Sequence, residues 1–143
     1  MNDERELTTE TIEAFGLTFT RPEFWESRVE DESTYLYWDM DGGSFRVTPR
    51  RVSVDIGAYL EGVLAEHRAF DAAWRVFPNH RGVAWVADGE SRSHFYVTGR
   101  DDLLLVCSFA YDPDLYAEDD EFYAPAIDAG LEDVDAIYAS LRF

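Results

Sequence analysis

The chain has 143 residues, 46% of them hydrophobic and 15% aromatic, which suits one domain with its own core. Its 30 acidic residues stand against 12 basic ones, all of them arginine, for a formal charge of -18. Nucleic acid and anionic membranes are thereby disfavoured as ligands, because phosphates would be repelled. Two origins of the acidity stay open: a face built for a basic partner, and adaptation to a GC-rich genome or a high-salt cytoplasm.

Residues 1–11 are polar and read as a loose N-terminal arm, with neither the basic region nor the apolar region of a signal peptide. Alternation starts at Leu17. Leu17 and Phe19 share a face and Pro22 ends that strand. Trp25, Ser27 and Val29 alternate with charged residues and predict a second strand; Tyr35–Asp39 and Phe45–Thr48 predict two more.

Between the last two lies Asp39-Met40-Asp41-Gly42-Gly43, which has the opening of a calcium loop. Counting from Asp39, however, the fifth and twelfth positions are Gly43 and Arg50, where a calcium loop needs an oxygen ligand and a bidentate glutamate. Asp41-Gly42 is read instead as a hairpin turn, because both residues tolerate positive φ.

From Asp55 the period changes to that of a helix. Ile56, Tyr59, Leu60, Val63, Leu64, His67 and Phe70 predict one apolar face over about four turns, with Asp55 as N-cap. Strands resume at Trp74–Phe77, stopped by Pro78, and continue at Val83–Ala87, Phe95–Thr98 and Leu103–Phe109. The last of these is apolar on both faces and should be a central strand. Its Cys107, the single cysteine, reads as a buried small hydrophobe in a reducing compartment, and the expected location is cytoplasmic.

Residues 112–135 hold ten acidic side chains and no basic one. Pro125 and Gly130 are expected to break any single helix there, leaving Val134, Ile137, Tyr138 and Leu141 as the buried stripe of a final helix. The fold class is therefore α+β: an antiparallel sheet of two meanders, flanked by a central amphipathic helix and a C-terminal helix, in one domain over residues 1–143.

Chemistry is sparse. His67, His80 and His94 have no metal-ligand spacing, Ser108 lies in a strand without a nucleophile elbow, and no glycine loop is built to hold phosphate. No catalytic, cofactor or metal residue is assigned, and no enzymatic activity is expected. The surface that stands out is Glu118, Asp119, Asp120, Glu121, Phe122 and Tyr123, where carboxylates would steer a basic partner and aromatics supply contact area.

Two segments resemble the PsbP/DcrB-like fold, which is shared with a yeast Ran-binding import factor and the Eag secretion chaperones. Phe19-Thr20-Arg21-Pro22-Glu23-Phe24-Trp25 is similar to an aromatic strand running into Pro-x-x-Trp. Ile137-Tyr138-Ala139-Ser140-Leu141-Arg142-Phe143 is similar to that fold's terminal Ser-Leu-Arg-Phe helix. The likeness covers Leu17 to the end and implies a non-enzymatic binder. Members hold apolar segments of secreted effectors, bind Ran or serve as extrinsic photosystem subunits, and similar bacterial domains act as toxin immunity partners. It carries over no site residue.

The expectation is thus a protein-binding module, monomer or homodimer, holding one partner such as a basic toxin or a secreted effector, with no nucleic acid, membrane or cofactor. The other reading is a small-ligand binder using a pocket between the sheet and a helix, lined by His94 or His67.

Overall fold

The computed structural model describes residues 6–31, 33–38, 43–117 and 123–143. Strand β1 (Leu7–Ile12) pairs antiparallel with β2 (Leu17–Pro22) as a separate two-stranded ribbon. Seven further strands form one antiparallel sheet: β3 (Glu26–Val29), β4 (Tyr35–Trp38), β5 (Ser44–Arg51), β6 (Ala73–Phe77), β7 (His80–Asp88), β8 (Arg92–Arg100) and β9 (Leu103–Tyr111). Their order is β3-β4-β5-β9-β8-β7-β6, so two meanders meet where β5 pairs with β9. The helices are α1 (Ile56–Glu66), α2 (Pro113–Ala117) and α3 (Tyr123–Ser140). The α+β class, the two meanders and the central placement of β9 agree with the sequence reading.

The sheet separates two clusters. On one face the ribbon and α3 bury Leu17, Phe19, Phe45, Phe109, Ile137 and Tyr138, among others. On the other, α1 lays Ile56, Leu60 and Val63 over Val83, Val97 and Leu104. Strand β9 serves both, because Leu105 and Cys107 face the first cluster while Leu104 and Val106 face the second. Asp55 caps α1 as expected, its carboxylate accepting from the Ala58 N–H at 2.9 Å.

Pro49 lies inside β5 yet costs no ladder bond. Strand β4 ends opposite Val47, so beyond that point the outer side of β5 has no partner and the missing N–H falls on an open side.

Four expectations need correction. Residues 7–12 are not a loose arm; they form β1, held by the β2 pairing and by Arg21, which donates through Nε to Glu10 Oε1 at 2.9 Å. Strand β3 does not bury alternate residues: all four are exposed, and only the preceding Trp25, at 4%, enters the core. As an edge strand beside β4 alone, it carries charge and no inward face. Helix α1 has 11 residues, about three turns rather than four, and a 3-10 turn at Arg68–Phe70 follows. Tyr59 and Phe70, placed on its buried face by the spacing, are 42% and 49% exposed.

Last, α3 runs unbroken for 18 residues through Pro125 and Gly130. Pro125 sits in the first turn, where its missing N–H has no intrahelical partner to lose. Gly130 lets the helix approach β9: a Cβ there would stand 2.7 Å from Phe109 Cζ. The helix is closed onto the ribbon at its far end. The Thr20 N–H donates to Ser140 Oγ at 2.8 Å, and Thr18 forms a β-bridge with Arg142.

The pairing of β4 with β5 agrees with the expected hairpin, but Asp41 and Gly42 themselves lie outside the described residues.

Candidate functional site

Strands β6 and β7 differ in length, and the site follows from that difference. β6 has 5 residues and β7 has 9. Their register begins at Ala73↔Ala84, so Trp85, Val86, Ala87 and Asp88 have β8 on one side and no strand on the other. In an antiparallel ladder alternate residues turn N–H and C=O outward, which leaves an open hydrogen-bonding edge along this half of β7.

A half-open pocket of about 550 Å³ lies at this edge. Its α3-side wall is built from the cross-strand pairs Ala84↔Tyr96 and Val86↔His94, with Val134 and Tyr138 of α3. Trp85 and Phe95, which belong to the opposite face of the sheet, line it as well, as do Phe70 and Asp71 of the turn after α1. Residues of both faces meet in one pocket because the pocket wraps round the sheet edge.

The aromatic wall is preassembled. Trp85 stacks on His67, with centroids 3.9 Å apart, and on Phe95, 5.1 Å apart, so its indole is already held by two rings. Val86, 40% exposed, supplies apolar surface beside it.

Charge sits at the rim. Arg75 donates to Asp135 at 3.0 Å and Arg92 to Asp88 at 2.6 Å. Asp71 has no ion-pair partner among the described residues. Its backbone is left-handed, φ 59°, a conformation aspartate tolerates, and its N–H is fixed to the Arg68 carbonyl at 3.0 Å. Among the described residues both rim guanidiniums are already paired, and neither is paired with Asp71.

His94 contributes a neutral imidazole. Burial first, then the nearby Arg92 charge, push its pKa below the ordinary value. Its Nε2 lies 2.9 Å from the Tyr111 hydroxyl, which also takes a hydrogen bond from Arg92. The two groups stay bonded in either tautomer, Nε2 accepting the phenol proton or donating its own to the hydroxyl oxygen.

The remaining residues singled out in the sequence are placed as follows. His67, read as a boundary histidine, is half-buried, with Nδ1 3.0 Å from the Val63 carbonyl. His80, read as part of a turn, opens β7 and joins the Tyr96 hydroxyl to the Tyr138 carbonyl, 2.7 Å each. Cys107 is buried, and burial pushes its thiol up to about 12, leaving an unreactive group.

Of the acidic surface, Glu118, Asp119, Asp120, Glu121 and Phe122 lie outside the described residues. Tyr123 opens α3, its hydroxyl accepting from the Asp112 N–H at 2.7 Å while the ring packs against the core. Among the described residues no group of three His, Cys, Asp or Glu could hold a metal ion, and no helix is long and apolar enough to cross a membrane.

The sequence reading missed the β7 edge as a site. Its signal was present in outline, since Pro78 limits β6 on one side and the pattern of β7 runs on past the point where β6 can follow. Nothing local marks Asp71.

No protein-family model and no curated protein matches the chain. Solved structures do. A Bacteroides thetaiotaomicron protein aligns over 98% of this chain with a TM-score of 0.68 at 15% identity. This chain spans about half of that protein, 48% of its length. The cyanobacterial PsbP protein CyanoP from Synechocystis sp. PCC 6803 aligns over 98% of this chain and 94% of its own, with a TM-score of 0.59 at 12% identity. At such identities the likeness speaks of backbone arrangement alone. The chain has a PsbP-like fold.

Proposed function

We propose that this protein is a non-catalytic binding module that holds one partner protein, as an immunity protein or a secretion-effector chaperone does. The observation that carries this reading is the open edge of β7 with a half-open pocket of mixed apolar and charged lining beside it. Edges of this kind are normally blunted by charge or covered, and an edge left open beside such a pocket is suited to another polypeptide. The charge of -18 favours a basic partner, through faster encounter and rejection of acidic competitors. The tract from Glu118 to Tyr123 is proposed as an additional contact. Among the described pocket residues the only side-chain hydroxyls belong to Tyr96 and Tyr138, both of which sit in the core.

The test is an affinity capture from native lysate at low and high salt, read by mass spectrometry. One stoichiometric basic partner, released by salt, supports the immunity role. An effector with a long apolar segment, retained in salt, supports the chaperone role. No stoichiometric partner at either salt overturns the reading.

A second reading is favoured by the pocket itself, whose volume of about 550 Å³ and His94 lining suit a small ligand. A metabolite that raises the melting temperature of the wild type but not of His94→Phe would establish it.

A further inference from the structure

We propose that the unpaired half of β7, Trp85–Asp88, takes an extended segment of a basic partner as an added strand, with an arginine or lysine of that segment set against Asp71. The inference rests on the protein-binding reading and names the chemistry of what is bound.

Three independent features converge. The register of β6 stops at Ala84, so the ladder is open for four residues, enough for a short strand to bond through its main chain. The pocket wraps the edge, so side chains on both faces of an added strand meet protein. Those on one face meet Val86, His94 and Val134, and those on the other meet Trp85 and Phe70. The charge of the rim is incomplete in one direction only. Arg75 and Arg92 are each committed to a carboxylate, and Asp71 is not, so a cation completes the set where an anion would meet Asp71 unpaired.

The alternatives fit less well. A flat aromatic ligand would have to compete for Trp85 with His67 and Phe95, both already stacked on it. An amphipathic helix would need a long apolar groove, whereas the pocket is bounded at Asp71, Asp88 and Asp135 by exposed carboxylates. An extended chain uses what the site has: backbone hydrogen bonds, alternate side-chain contacts and one charge.

The experiment is an NMR titration of the isotope-labelled full chain with synthetic octapeptides of alternating valine and arginine. Two controls have every second amide N-methylated, in either register, which removes the main-chain donors from one edge and keeps all the charge. A third replaces arginine with glutamate. The expected result is a set of shifts centred on the Trp85–Asp88 amides, with slowed hydrogen exchange there. One methylated register should abolish it, and the glutamate peptide should not bind. Asp71→Asn, chosen because asparagine also tolerates the left-handed backbone, should weaken the arginine peptide about three- to fivefold.

Equal binding by both methylated peptides, or shifts scattered over the acidic surface with none at Trp85–Asp88, would overturn the proposal. So would unchanged affinity of a lysate-captured partner for a Val86→Lys variant shown by its spectrum to be folded. In each of these cases the protein-binding reading survives. Only the capture experiment, by yielding no partner at all, removes that.

Discussion

A methyl group added at Gly130 and one added at Gly62 should move stability in opposite directions. Both glycines are helical, and alanine is the better helix former at either by about 1 kcal/mol. At Gly62 nothing lies within 4 Å of the new Cβ, so Gly62→Ala should stabilise by up to about 1 kcal/mol. At Gly130 the Cβ would stand 2.7 Å from Phe109 Cζ, and that ring is itself buried in the main core. Overpacking of this kind costs typically about 1–3 kcal/mol, so Gly130→Ala should be destabilising on balance. Urea denaturation of the two variants decides the matter, and a stabilised Gly130→Ala would mean that α3 can ride outward from β9.

His80 makes a second residue-scale prediction, one of pH. Burial lowers its pKa below the usual 6.5, against the raising effect of its hydrogen bond to Tyr138. The unfolded chain therefore takes up a proton more readily than the folded one between the two values. The contribution of His80 to stability is present in full above pH 6.5 and is lost as pH falls through the folded pKa. Replacing it with glutamine should flatten the slope of stability against pH just below 6.5, as read from melting temperatures in matched buffers. A parallel slope in the variant would assign the effect to other groups. Removing both bonds in His80→Ala should also cost about 1–3 kcal/mol at neutral pH, because the buried Tyr96 hydroxyl loses this bond and the Tyr138 carbonyl keeps only the Leu141 N–H, at 3.2 Å.

At the scale of elements, the ribbon depends on one arginine. Arg21 is 9% exposed and donates to Glu10 at 2.9 Å, to the Pro22 carbonyl at 2.9 Å and to the Trp25 carbonyl at 2.8 Å. Its guanidinium also lies over the Tyr37 ring, 5.2 Å from the centroid. The planar fork joins β1, the Pro-x-x-Trp corner and β4 at once. Arg21→Lys keeps the charge and cannot keep the fork, so it should destabilise by about 1–3 kcal/mol. Hydrogen exchange should quicken first in β1 and β2, and uniform quickening over the whole sheet would contradict a role confined to the ribbon.

How far such elements can be read from sequence depends on where their physics lies. The two meanders and α1 were legible because hydrophobic period and capping are local properties; Asp55 announces α1 within four residues. Strand β1 was not, since "LTTETI" is polar on its own and becomes a strand through pairing with β2 and the reach of Arg21 to Glu10. The continuity of α3 was hidden for the same reason: Gly130 looks like a breaker until Phe109 is opposite it. The candidate site was the least legible of all. It arises from a mismatch in strand lengths and from the left-handed turn at Asp71, and neither is written in a motif.

For the whole molecule, the charge of -18 sets the response to salt. The ion pairs of the described residues are at the surface, apart from Arg21 with Glu10, and pairs of that kind contribute little. Repulsion among unpaired carboxylates should then dominate. Between about 0.01 M and about 1 M sodium chloride the screening length falls from about 30 Å to about 3 Å, and the melting temperature should rise. A fall would show that the ion pairs outweigh the repulsion. The same titration bears on the origin of the acidity: a protein that unfolds when desalted is adapted to salt, whereas one stable without it is free to use its charge for recognition.

The bond between Thr20 and Ser140 joins residues 120 apart in the chain, and the Thr18–Arg142 bridge lies just beyond it. On a ribosome the first ribbon is made long before the strand-like tail that fastens it. Elongation at about 5–20 residues per second then leaves Leu17 and Phe19 without their α3 cover for several seconds, however fast the sheet itself forms. The nascent protein must pass through an interval in which its second strand is built but unsheltered. That interval closes only when Leu141 and Arg142 have left the exit tunnel. Slow codons in the α3 segment would lengthen it, and a chaperone acting on this protein during synthesis would find its target at Leu17 and Phe19 rather than at α3.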